Sequence, residues 1–203
     1  MIGIVDYNMG NLASVQNAFV KIGAKSVVES NPKKFKDYEK LILPGVGAFP
    51  DAMEHLRERN MIDAIREFAQ SGKPILGICL GMQLLFDSSE EFGNHEGLGL
   101  IKGRVVAFDT SKFSEPLKVP HMGWNRMFTK KHPLFDGLDE EHYLYFVHSY
   151  HAVCEKEEDV IGKTVYGYEF ASAVACKNVM GIQPHPEKSH RNGLKILENF
   201  TRL

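Results

Sequence analysis

The sequence predicts an α/β protein of three layers, with a mostly parallel central sheet covered by helices on both faces. Three observations carry this. Short apolar runs alternate with segments whose apolar residues recur every three or four positions. The runs are continuous rather than alternating, as strands buried on both faces are. The first half reads β-α-β-β-α-β-α, the order that crossover connections join into a parallel sheet.

Along the chain, Ile2-Gly3-Ile4-Val5 is the first strand. Leu12, Val15, Phe19 and Ile22 then recur at helical spacing, with Asn11 placed to cap the helix and Gly23 to end it. Val27-Val28 is a second strand and Lys40-Leu41-Ile42-Leu43 a third, stopped by Pro44. Met61, Ile65 and Phe68 line the next helix, which ends near Ser71-Gly72. Ile75-Leu76-Gly77-Ile78 is the fourth strand, and a helix is expected over 80–86. The second half is richer in strands, with candidates at 104–108, 143–147, 170–175 and 179–183, and a closing helix over 193–203. No repeat or linker divides the chain, so residues 1–203 are read as one domain.

Composition narrows the function. Of 203 residues, 43% are hydrophobic and 25% charged, which excludes a disordered or fibrous chain. A net charge of −2 offers no footprint for nucleic acid or an anionic membrane. No apolar run approaches the ~18 residues of a spanning helix. The start has no basic flank and meets Asp6 early, unlike a signal peptide. Three cysteines without Cys-x-x-Cys spacing fit reduced thiols in a cytoplasmic protein. No phosphate-binding loop, dinucleotide fingerprint or metal-ligand spacing occurs, so no cofactor and no metal are expected.

The chemistry concentrates in two places. Gly77-Ile78-Cys79-Leu80-Gly81 follows an apolar strand and opens a helix, the setting of a nucleophile elbow. Its glycines clear space for a strained turn, a helix N-terminus favours thiolate at Cys79, and the Leu80 N–H is placed to meet an oxyanion. The bland alternative is a buried structural cysteine. Gln183-Pro184-His185-Pro186-Glu187 follows another apolar strand. Residues two apart in extended chain point the same way, so Glu187 can orient the His185 ring and leave its other nitrogen for a thiol. Alone this could be an incidental turn. Together with the elbow it makes a Cys-His-Glu triad.

Gly77-Ile-Cys79-Leu-Gly81-Met-Gln83 and His185-Pro-Glu187-Lys-Ser resemble the two signatures of the class I (triad) glutamine amidotransferases. Four further segments extend the resemblance over essentially the whole chain: Asp6-Tyr-Asn-Met-Gly-Asn11, Leu43-Pro-Gly-Val-Gly47, Pro120-His-Met-Gly-Trp-Asn125 and Phe146-Val-His-Ser-Tyr150. They are similar to those of glutaminase subunits that form heterodimers with a (β/α)8-barrel cyclase of histidine biosynthesis. The resemblance implies a flavodoxin-like core, with Cys79 as nucleophile, His185 as general base and acid, and Glu187 as its orienting partner. It implies an oxyanion hole from the Val46 and Leu80 amides. L-glutamine would be held by Gly45, Gly47, Gln83, His148, Ser149 and Tyr150. Asn11, Trp124 and Lys188 would face the partner. Pro184 stands where the family carries an aromatic residue, which removes a backbone donor and biases Gln183 toward extended chain. Two other readings stay open here: a subunit feeding a barrel that aminates another metabolite such as a sugar nucleotide, and a silent scaffold.

Overall fold

A computed structural model describes residues 1–203. The elements run β1 (Ile2–Val5), α1 (Leu12–Lys21), β2 (Ser26–Glu29), β3 (Lys40–Leu43), α2 (Phe49–Glu58), α3 (Met61–Gln70), β4 (Ile75–Ile78) and α4 (Leu80–Leu84). Then come β5 (Phe86–Ser89), β6 (His95–Glu96), β7 (Ile101–Ala107), β8 (His121–Arg126), β9 (Phe128–Thr129), β10 (Tyr143–His148) and β11 (Tyr150–Cys154). The chain closes with β12 (Val160–Tyr166), β13 (Tyr168–Cys176), β14 (Val179–Ile182) and α5 (His190–Arg202).

The core of the large sheet is parallel, in the order β2-β1-β3-β4-β14. The strand-rich second half extends it antiparallel through β13, β11 and β7, and β8 pairs with β10 in a separate ribbon. Side chains of one strand go to opposite faces, and the two cores follow from that. Leu41 and Leu43 of β3 join Phe49, Leu56, Met61 and Ile65 of α2 and α3. Ile42 joins Val15 and Phe19 of α1 and Ile196, Leu197 and Phe200 of α5. This is the three-layer arrangement expected. No helix is long and apolar enough to cross a membrane.

Several boundaries differ from the sequence reading. The helix expected over 80–86 stops at Leu84, because Phe86 leaves it to pair with Ile101 of β7. The closing helix starts at His190, three residues before the expected position 193. Helix α2 was not expected, although Phe49, Ala52, Met53 and Leu56 stand at i, i+3, i+4 and i+7 and are all buried. Strands β5, β6, β8, β9, β11 and β12 were also missed.

Both catalytic segments leave the sheet at the carboxyl ends of adjacent parallel strands, β4 and β14, where open α/β sheets place their ligands.

Candidate active site

Cys79 lies between β4 and α4 with φ 55° and ψ −115°, a conformation that L-residues rarely adopt. The surroundings hold it there. Its N–H donates to the Ile182 carbonyl at 2.8 Å, and its own carbonyl accepts from Met82 N–H at 3.0 Å. The flanking glycines are needed for close approach. A Cβ on Gly81 would lie 1.7 Å from the Leu43 carbonyl oxygen, and one on Gly77 2.6 Å from that of Gly81.

His185 follows β14, buried at 2% exposure. Its Nδ1 pairs with Glu187 Oε1 at 2.8 Å, as the two-residue spacing predicts. Its Nε2 is buried and makes no hydrogen bond, so it stands open on the thiol side. Burial opposes charge on this ring, but Cys79 and Glu187 outweigh it and raise the imidazole to about 10. Pro184 costs nothing visible: Gln183 N–H donates to Ser172 and His185 N–H to Tyr145, each at 2.8 Å, on either side of it.

Cys79 and His185 share a cavity of about 310 Å³ whose wall also includes Val46, Gly47, Leu80, Gln83, His148, Ser149 and Tyr150. Two donors at its mouth are free. Leu80 opens α4 and has no intrahelical acceptor for its N–H, and Val46 N–H makes no hydrogen bond within the protein. Gly45 lies behind the wall, where a Cβ would meet Tyr7 Oη at 2.5 Å. The Tyr7 hydroxyl donates to the Pro44 carbonyl at 2.7 Å, and burial with nearby Cys79 pushes its ionisation above the usual phenol range.

His148 lines the cavity, but both ring nitrogens are occupied: Nδ1 donates to the Tyr150 carbonyl at 2.8 Å, and Nε2 meets His121 Nδ1 at 2.9 Å. Neither ring nitrogen is therefore free to bind a ligand, although the residue stays in the cavity wall. Burial lowers His121 to about 4 and His148 to about 3. Both values lie below the ~6.5 of an unfolded histidine, so the unfolded chain binds more protons in acid. The contribution of these two histidines to stability should thus be full above about pH 6.5 and fall toward pH 4 and below, by up to ~1.4 kcal/mol per pH unit per histidine. Chemical denaturation between pH 7 and pH 5 checks this, and His121→Gln should flatten the slope.

The sequence reading missed Glu91, Pro120 and Val147 in the wall. Glu91 is the informative one. One carboxylate oxygen accepts from the Phe49 N–H at 2.9 Å, and burial with Asp51 nearby raises its pKa. In sequence, Glu90-Glu91 looks like solvated charge. Only the fold brings it into the cavity that Cys79 lines.

On the outer face, β8 alternates. Met122 (61% exposed) and Trp124 (47%) point outward while His121 is buried. Trp124 stacks on His190, with centroids 4.9 Å apart and planes at 4°, two residues beyond the exposed Lys188. Asn11 is exposed and caps α1, accepting from Ser14 N–H at 3.3 Å.

A Cys-His-Glu constellation at the carboxyl end of a parallel sheet, beside two unpaired amides, defines a thiol amidohydrolase. The chain belongs to the class I glutamine amidotransferase family, whose model matches residues 3–203. It is 82% identical to the imidazole glycerol phosphate synthase subunit HisH of Sulfurimonas denitrificans, over 100% of this chain and 98% of that protein. It is 60% identical to the subunit of the same name from Wolinella succinogenes, over the full length of both. Among solved structures, PurLQS from Thermotoga maritima superposes with a TM-score of 0.78 over 99% of this chain and 97% of that chain, at 23% identity. That last likeness concerns the fold alone.

Proposed function

We propose that this chain is the glutaminase subunit of an imidazole glycerol phosphate synthase, a single amidotransferase domain that hydrolyses L-glutamine and passes ammonia to a (β/α)8-barrel cyclase of histidine biosynthesis. The observation that carries the chemistry is the His185 ring, fixed by Glu187 on Nδ1 and free on Nε2 beside Cys79. The full-length relatives named HisH support the pathway. Cys79 Sγ attacks the side-chain amide carbon of glutamine, and the Val46 and Leu80 N–H groups receive the oxyanion. The His185 imidazolium gives its proton to the departing ammonia, leaving a thioester. The neutral ring then takes a proton from water, hydroxide cleaves the thioester, and glutamate leaves. Ammonia in neutral water is mostly protonated and not nucleophilic, which favours direct transfer within a heterodimer. Outward-facing Met122 and Trp124, with Lys188 and Asn11, are the residues we assign to the partner face, and the protein would work in the cytoplasm.

The test is peptide mapping after brief alkylation of the native protein. Cys79 should label fastest at neutral pH, and glutamine should protect it. Cys154 and Cys176 should label slowly, because burial and then Asp159 nearby raise both, Cys154 to about 12. Equal labelling without glutamine protection would sink the assignment.

Glu91 extends the reading to the far end of the substrate. With one oxygen on the Phe49 N–H, its other is available for a cation such as an α-ammonium group. Glu91→Gln should raise KM for glutamine by roughly 10-fold or more with little change in kcat, the sign of lost ground-state binding. Steady-state kinetics decide it, and an unchanged KM removes Glu91 from the substrate site.

A further inference from the structure

A buried polar chain crosses the molecule from β8 to the nucleophile, and its donor sense can be worked out link by link. The Tyr150 carbonyl can only accept. It receives His148 Nδ1 at 2.8 Å and Gln83 Nε2 at 3.1 Å, which fixes the tautomer of one and the amide orientation of the other. On the histidine arm, His148 Nε2 must then accept from His121 Nδ1 at 2.9 Å, and His121 Nε2 from Asn125 Nδ2 at 3.1 Å. Every link on that arm is satisfied when both rings are neutral.

On the other arm, Gln83 Nε2 gives its second proton to Gln183 Oε1 at 3.1 Å. That leaves Gln183 only one way to face. Its Nε2 lies 3.8 Å from Cys79 Sγ, and a flipped amide would set two NH2 groups against each other. Gln183 is fully buried, its backbone N–H is held by the Ser172 carbonyl, and Pro184 restricts its backbone to extended geometry. The carboxamide is thus launched from a fixed base.

We propose that Gln183 is a positioning residue for the nucleophile, the last link of this chain, whose amide N–H holds the Cys79 sulfur in its anionic form and aims it. The proposal rests on the amidotransferase reading for what the sulfur does. Besides His185 and Gln183, the sulfur meets the Val147 carbonyl at 3.9 Å, a contact that serves only a protonated thiol. The titratable groups near the sulfur are His185, Tyr7, Glu187 behind His185, and His148, Tyr150 and Glu91 on the cavity wall. His185 must gain and lose a proton during turnover. Gln183 cannot, so it remains a donor both when sulfur attacks and when it departs from the thioester.

The test is iodoacetamide alkylation of the full chain, mapped at Cys79 across a pH series. Gln183→Met keeps the length and removes the donor. Labelling of Cys79 should slow about 10-fold at neutral pH, and the gap should close in alkali, where the thiol ionises without help. An unchanged profile overturns the proposal. So does slowing by the same factor at every pH, which would report blocked access instead. Should Gln183→Met fail to fold, Gln83→Met frees the Gln183 oxygen and should give a smaller loss of the same pH-dependent form; a wild-type profile there is equally fatal. Wild-type glutamine hydrolysis, measured with the barrel partner, runs in parallel. Its absence, with the alkylation effect intact, would fail the amidotransferase reading and leave the role of Gln183 standing.

Discussion

Cys79→Ala should abolish glutamine hydrolysis, and Cys79→Gly should do the same while melting no lower than the alanine variant. The first outcome follows from losing the sulfur. The second follows from φ 55° and ψ −115° at this residue, a region that costs a side-chain-bearing residue about 1–3 kcal/mol and glycine almost nothing. At an ordinary position glycine is less stable than alanine by about 0.5–1 kcal/mol. Here the order should invert, by roughly 1 kcal/mol or a few degrees in Tm. Glutaminase assays and thermal melts on both variants check the pair. A complex carrying Cys79→Ala should still make product from an ammonium salt at raised pH, because only the ammonia source is broken. Turnover of glutamine by Cys79→Ala would require another nucleophile, and a glycine variant clearly less stable than alanine would mean that no strain is stored at the elbow.

The elbow was legible because its chemistry is local. Gly77, Cys79 and Gly81 sit within five residues after an apolar strand, and each glycine answers a close approach that the structure bears. His185 and Glu187 were legible for the same reason, since two-residue spacing in extended chain brings their side chains together. The parallel half of the sheet was legible as apolar runs. What stayed hidden depends on distant pairing. Strand β8 carries Gly123 and is only partly buried, and β12 is bulged between Val160 and Lys163, so neither shows a clean period. The apolar Leu84-Leu85-Phe86 looks like unbroken helix, and only the pairing of Phe86 with β7 starts a strand there. Glu91 and Gln183 look like ordinary polar side chains in sequence and acquire meaning from neighbours dozens of residues away. His148 was found by pattern, but the pattern could not show that its ring was already occupied.

Adding the proposed (β/α)8-barrel partner with its acceptor nucleotide should raise glutamine hydrolysis at least ~10-fold over the isolated chain, within the ~100–1000-fold that one oxyanion donor is worth. The reason lies in how unevenly the loop of Pro44-Gly45-Val46-Gly47 is held. Its first half is fixed: Tyr7 holds the Pro44 carbonyl, and Gly45 is wedged against the Tyr7 hydroxyl and the first residues of α4. Its second half is loose. Val46 is 41% exposed with an unpaired N–H, and Gly47 has φ +101°, a conformation from which glycine leaves at little steric cost. The segment before α1 lies against this loop, with a Cβ on Gly10 falling 3.5 Å from Pro44 Cβ. It ends at exposed Asn11, on the proposed partner face, so contacts made there have a short physical path to Val46. A partner shifts the loop only by binding one arrangement better than the other, and an acceptor nucleotide adds to that difference. Gly47→Ala should therefore blunt the stimulation more than it lowers the basal rate, since a side chain restricts the backbone rotation by which the loop would change arrangement. Rates for the free chain, the complex, and the complex with nucleotide, for wild type and Gly47→Ala, supply the comparison. A free chain already at full speed would remove the switch from this loop. Stimulation by a barrel that aminates a sugar nucleotide, and not by the histidine-pathway cyclase, would move the protein to that other pathway with its triad chemistry unchanged.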